Sequence, residues 1–278
     1  MRLKIISLFM LAFLSVNVSN TLAQQSLEET ATRAEISMQR AVDHYQAGLL
    51  NEAAGLLRGF VVSHPDSSLI DQAYYYLASI HNEQGDPATA IGYLDKISAE
   101  SQSPSTILLQ SELLLQMGDA TRAVDQLLQL ETERLDLPER QARYLSLAEG
   151  LALLEEPQKA LYFYQQALVV EGAETPRDVL ARIYTLLSAR FNEADLAEAA
   201  FMYHNKPVAY LAMLQLGWRA LSAGQKELAQ EWVSAAMMAP AGFAYHEEAL
   251  ALQSQLSDPT QFQRAIGVLL PMSGRYAA

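Results

Sequence analysis

The side chains able to do chemistry are few and poorly placed for it. The five histidines are His44, His64, His81, His204 and His246, and no two of them show the spacing of a helical metal site. His246-Glu247-Glu248 lacks the second histidine that a zinc-protease helix carries one turn on. His44 and His81 occupy equivalent places, each just before a turn glycine, and read as packing residues between helices. Glu28-Glu29, Glu155-Glu156 and Glu247-Glu248 are acid pairs. Neighbours on a helix point about 100° apart, so such pairs read as solvated faces or turns and not as acid–base partners. There is no GxSxG, phosphate loop or SxxK. Gly85-Asp86 and Gly118-Asp119 read as turns. Tyr74-Tyr75-Tyr76 is either a stacking platform for sugar or peptide, or two packing residues and one half-exposed; the packing reading is preferred. Met213, Met237 and Met238 read as core filling. The sequence therefore assigns no catalytic, cofactor-binding or metal-binding residue, and neither a cofactor nor an enzymatic activity is expected.

Composition narrows the classes further. Half of the 278 residues are apolar and 18% are charged, which suits a folded chain with a substantial core. The net charge is -13, and without residues 1–23, which hold Arg2 and Lys4 and no acid, it is -15. So acidic a chain, with no basic stripe, repels phosphate backbones and anionic membranes, so nucleic acid is not an expected partner. The absence of cysteine excludes disulfides, thiolate metal sites, a thiol nucleophile and lipidation at an N-terminal cysteine.

The elements that would position any site begin after an address. Arg2 and Lys4 precede an apolar run, Ile5 to Val18, too short to span a bilayer and suited to a signal-peptide core. Thr21 and Ala23 supply the small residues of a cleavage site before Gln24. Residues 1–23 are expected to be removed, leaving no integral membrane span and placing the mature chain outside the cytoplasm, most simply in a periplasm.

From about Thr30 to Leu256 the chain reads as short amphipathic helices broken by Gly, Asp, Asn or Pro. Gly48, Gly85, Gly118 and Gly224 are turn residues. Small residues stand at one fixed offset before them (Ala41, Ala78, Ser111, Gly217) and an alanine at another after them (Ala53, Ala90, Ala123, Ala229). A further unit fits with Ala148, Glu155 and Ala160. Two antiparallel helices that cross closely need a small side chain from each, and glycine allows the positive φ of a helix end. Leu57, Leu94, Leu127, Tyr164 and Val233 lie one turn beyond the second small residue and should fill the gaps, while Pro65 closes the first unit. The stretch Tyr184 to Tyr203 keeps the pattern least well. This pattern resembles the tetratricopeptide repeat, most clearly in Asp71 to Ile97, and that resemblance implies an all-α helical-repeat solenoid over residues 24–257 whose groove takes peptides or partner helices. Sel1-type and HAT-type helical repeats fit the same spacing.

After Asp258-Pro259 the texture changes. Ala265 to Leu270 is a short apolar run ending in Pro271, followed by a Ser273-Gly274 turn, so residues 258–278 read as a linker, a buried strand and a loop. Gly267, Pro271, Met272, Ser273, Gly274, Tyr276 and Ala277 resemble the first strand and loop of the type I periplasmic-binding fold, in which Ser273 to Tyr276 would border a ligand cleft. That order of parts is similar to the bacterial penicillin-binding protein activator (LpoA-like) family. The resemblance implies a non-catalytic periplasmic module that contacts an envelope protein, a bifunctional penicillin-binding protein, and stimulates peptidoglycan synthesis. Two departures matter. This chain has no cysteine for the lipid that anchors such proteins to the outer membrane. It also holds one strand of the second domain, and a lone strand leaves its backbone groups unpaired, so the expectation is either a fragment or truncated product or a tail that is disordered or packed on the helices. The alternatives are an amino-acid-type solute receptor with a helical extension and a stand-alone periplasmic adaptor for envelope assembly or cell division.

Overall fold

The computed structural model describes residues 32–170 and 177–257. The leader over residues 1–23 and the strand expected in 258–278 lie outside the described residues. Among the described residues every longer element is a helix and there is no strand. The helices are α1 (32–46), α2 (Leu50–Ser63), α3 (Ile70–Glu83), α4 (Pro87–Leu94), α5 (Pro104–Gln116), α6 (Ala120–Gln129) and α7 (Leu137–Leu153). They continue as α8 (Pro157–Leu168), α9 (Arg177–Arg190), α10 (Glu193–Met202), α11 (Pro207–Ser222), α12 (Lys226–Ala236) and α13 (His246–Ser257). The chain forms two compact units, one running to Arg122 and the other starting at Ala123.

Local chemistry sets the boundaries. Asp86 caps α4 by accepting from the Thr89 amide at 3.1 Å, with Pro87 in the first turn. Ser103 and Pro104 start α5 in the same way. Asp136 with Glu139, and Asn192 with Asp195, are capping boxes that satisfy otherwise orphaned amides at the starts of α7 and α10. α2 stops at Ser63, two residues before Pro65, as the rigid ring requires.

The five turns share one geometry. Gly48, Gly85, Gly118 and Gly224 all hold φ between 73° and 83°, in the left-handed region. Behind each, a backbone amide reaches back to the same helical carbonyl: Leu49 to His44, Asp86 to His81, Asp119 to Leu114 and Gln225 to Ala220, at 2.8–2.9 Å. Glu156 to Leu151, at 2.9 Å, completes the set, so the α7–α8 turn is built alike although Glu155 stands where the others have glycine. Glu155 accordingly sits at φ 60°. Glu155→Gly should therefore raise stability by about 0.5–1 kcal/mol in urea denaturation, relief of left-handed strain outweighing the entropy of glycine. Glu155→Ala, which keeps the Cβ and loses only the exposed contact to Arg190, should give no gain.

The small residues at both offsets are buried. Ala41, Ala53, Ala78, Ala90, Ser111, Ala123, Ala148, Ala160 and Ala229 have no accessible surface. At Gly217 an added Cβ would stand 2.9 Å from Leu252 Cδ2 and 3.7 Å from the Ala229 carbonyl oxygen, which shows how closely α11 and α12 cross. Leu57, Leu94, Leu127, Tyr164 and Val233 are buried as their spacing requires. In the first unit Ala41, Ala53, Leu57, Phe60 and Leu77 share one cluster, and Ala78, Ala90, Leu94 and Leu113 a second. In the second unit α11 packs against α9, α10, α12 and α13 and is the most buried helix. The methionine reading needs one correction: Met213 and Met237 join the cluster around Val233 and Leu252, but Met238 lies beyond the end of α12 and is exposed.

Ser111 differs from its counterparts in carrying a hydroxyl, whose oxygen is buried without a hydrogen-bond partner. Ser111→Ala should gain about 1 kcal/mol, because it removes an unsatisfied group and leaves the shape unchanged. A higher melting midpoint with unchanged helical circular dichroism would register it.

Candidate functional site

The side chains with chemical potential act as stitches between helix pairs. In the first unit the Tyr45 hydroxyl (α1) donates to Glu83 Oε1 (α3) at 2.6 Å. Burial, then the Glu83 carboxylate, pushes its phenol up, so it stays a neutral donor. Asn82 (α3) donates to Glu112 (α5) at 3.2 Å, and Gln116 donates to Asn82 at 2.9 Å. Gln84 donates to Asn51 Oδ1 at 3.2 Å. The second unit stitches its first helices similarly: Glu149 (α7) pairs with Arg182 (α9), and Arg219 (α11) donates to the Ser188 carbonyl (α9) at 3.1 Å.

The tyrosine run is committed to packing. Tyr74 stacks on Tyr93 at 6.4 Å, Tyr76 meets Tyr45 edge-on at 5.3 Å, and Tyr75 lies edge-on to Tyr76. His81 stacks on Tyr93 at 5.5 Å, so it packs between α3 and α4 as its spacing suggested. His44 Nδ1 lies 2.8 Å from the Arg40 carbonyl oxygen within α1. Lys96 Nζ sits 4.9 Å above the Tyr93 ring and 5.5 Å above that of Tyr74, a cation held by two aromatic faces. Tyr144 and Phe163 repeat the Tyr74–Tyr93 pair one helix pair on from α5–α6, at 6.2 Å. Among the described residues no three His, Asp or Glu side chains converge as metal ligands, and no helix is long and apolar enough to cross a membrane. Glu155-Glu156 forms the α7–α8 turn and Glu247-Glu248 the first turn of α13. Glu28-Glu29 and Ser273 to Tyr276 lie outside the described residues.

Two features were missed by sequence reasoning. The first is Arg143 on α7, which is buried. It donates from Nε to the Leu127 carbonyl oxygen at 2.8 Å and from its guanidinium to Thr132 Oγ1 at 3.3 Å. Burial draws its pKa down, against Tyr144 and Glu133. The second is a cleft of about 150 Å³ between α8 and α10. Leu161, Phe191 and Ala199 form its apolar base, and Gln158, Asp195, Glu198, Met202 and Tyr203 surround them. Burial, then Tyr162, holds the Tyr203 phenol above its ordinary range, keeping it neutral. The cleft lies in the stretch whose repeat pattern is weakest. The legible signals there were the Asn192–Asp195 capping spacing and Phe201-Met202, which continue the helix out of its buried face.

No protein-family model matches the chain, and no curated protein does. Among solved structures the chain is similar to pilF of Pseudomonas aeruginosa, at 17% identity and a TM-score of 0.50, over 78% of this chain and 96% of that one. A tetratricopeptide repeat protein from Parabacteroides merdae also aligns, at 16% identity and a TM-score of 0.47, over 80% of this chain and 98% of that one. At such identity the pilF likeness bears on fold alone, and it agrees with what the turns and buried alanines show: an all-α helical repeat of the tetratricopeptide type.

Proposed function

We propose that this chain is a non-catalytic interaction module of the bacterial cell envelope that supports peptidoglycan synthesis by contacting a synthase, as the penicillin-binding protein activators do. The observation that carries the interaction reading is the repetition of one helix–turn–helix geometry at five turns. It spends the polar side chains on linking helix pairs and presents extended helical faces. The finer reading is supported by residues 1–23, which suit a secretion signal, and by the resemblance of residues 264–278 to the start of a receptor-type domain. Both imply a periplasmic setting. Affinity capture from an envelope extract with the full-length gene product tests it. A bifunctional penicillin-binding protein should be recovered, and its glycan polymerisation should accelerate on adding the purified chain. Repeated capture without any peptidoglycan synthase, or no change in rate, contradicts the reading.

A further inference from the structure

We infer that the cleft between α8 and α10 is a docking site for a cationic peptide segment, one that inserts a single large apolar side chain and flanks it with Lys or Arg. The inference rests on the interaction-module reading alone and is independent of which envelope protein is engaged. The cleft lies on the second helices of two successive pairs, so it is separate from any groove formed by first helices.

Size, polarity and charge fix the occupant. A cavity of about 150 Å³ holds a group of benzene size, so the cleft takes one side chain and not a small-molecule substrate of metabolite dimensions. Its base is apolar. At its rim Met202 is 65% exposed, at the end of a helix whose other apolar residues are mostly buried. An isolated exposed apolar residue is ordinary, whereas one on the rim of a cleft with an apolar base extends the surface that an inserted apolar side chain would cover. The carboxylates at the cleft are Asp195 and Glu198, and no basic side chain lines it. Asp195 accepts from the Asn192 amide, and neither carboxylate has an ion-pair partner among the described residues. An apolar anchor flanked by cations satisfies both halves of this surface. An acidic segment would meet repulsion from these carboxylates and from the whole chain, whose net charge is -13.

The test is a fluorescence-anisotropy titration of the purified chain with two labelled synthetic peptides. One interleaves Lys-Arg pairs with Leu and Phe, and the other has every Lys and Arg replaced by Glu. The cationic peptide should bind, more weakly as salt rises, and the acidic peptide should not. Glu198→Lys should weaken binding about tenfold, the effect of reversing one interfacial charge, whereas Glu231→Lys on α12, an equal change in net charge, should leave it nearly unaltered. Met202→Asn should weaken it without changing the salt slope. If Glu198→Lys disturbs the helical circular dichroism signal, Glu198→Gln reads the same contact. No binding of the cationic peptide, or equal loss in Glu198→Lys and Glu231→Lys, overturns the site. Capture of a synthase despite either result would leave the proposed function standing and remove only this cleft from it.

Discussion

Ala90→Leu is expected to destabilise the first unit by about 3 kcal/mol, read as a lower midpoint in urea at unchanged slope. Ala90 has no accessible surface and shares a cluster with Ala78, Leu94, Ile97 and Leu113. A leucine has no room there unless α3 and α4 move apart, and parting them also loosens the neighbours of Leu94. Two residues earlier on the same helix, Ala88 is exposed. Ala88→Leu should change stability by no more than about 0.5 kcal/mol. The contrast isolates crowding at the crossing from any effect of leucine on the helix itself.

Arg143→Ala should cost the second unit about 3 kcal/mol, a size common when a buried charge-assisted contact is cut. The loss has two parts. The Leu127 carbonyl loses its 2.8 Å donor at the end of α6, and the guanidinium no longer lies over the Tyr144 ring, 5.8 Å from its centre. Arg143→Lys should recover only part of this, because one ammonium cannot reproduce the fork that reaches both Leu127 and Thr132. Urea denaturation of the three proteins, alongside Thr132→Val, separates the two contacts. A full recovery by lysine would show that the charge alone matters.

Much of the fold was legible because helix pairs leave a local signature. A crossing demands small side chains at two offsets and a turn demands left-handed backbone, so Ala78, Gly85 and Ala90 report one geometric event from residues close in sequence. Even the Glu155 turn was legible through Ala148 and Ala160, although its own residue type argues against φ 60°. Arg143 was not. It holds the place in α7 that the buried Ala73 holds in α3, and a charged residue there reads as solvent-facing until the Leu127 carbonyl is seen against it. The α9–α10 pair was blurred because its turn is Phe191-Asn192, without glycine and with buried Phe191 in place of an exposed turn residue. The cleft beside it depends on α8 meeting α10, a relation between separate pairs that no local spacing encodes.

The meeting of small side chains across each helix pair is the premise for everything else, and the absence of native cysteine makes it directly measurable. With cysteines introduced at Ala78 and Ala90, mild oxidation should close an intramolecular disulfide rapidly in the folded chain, since the two lie in one buried cluster on facing helices. With cysteines at Ala78 and Ala88 it should not, because Ala88 points to solvent. Equal rates for the two pairs, or closure only of the second, would contradict the crossing and with it the helical-repeat scaffold.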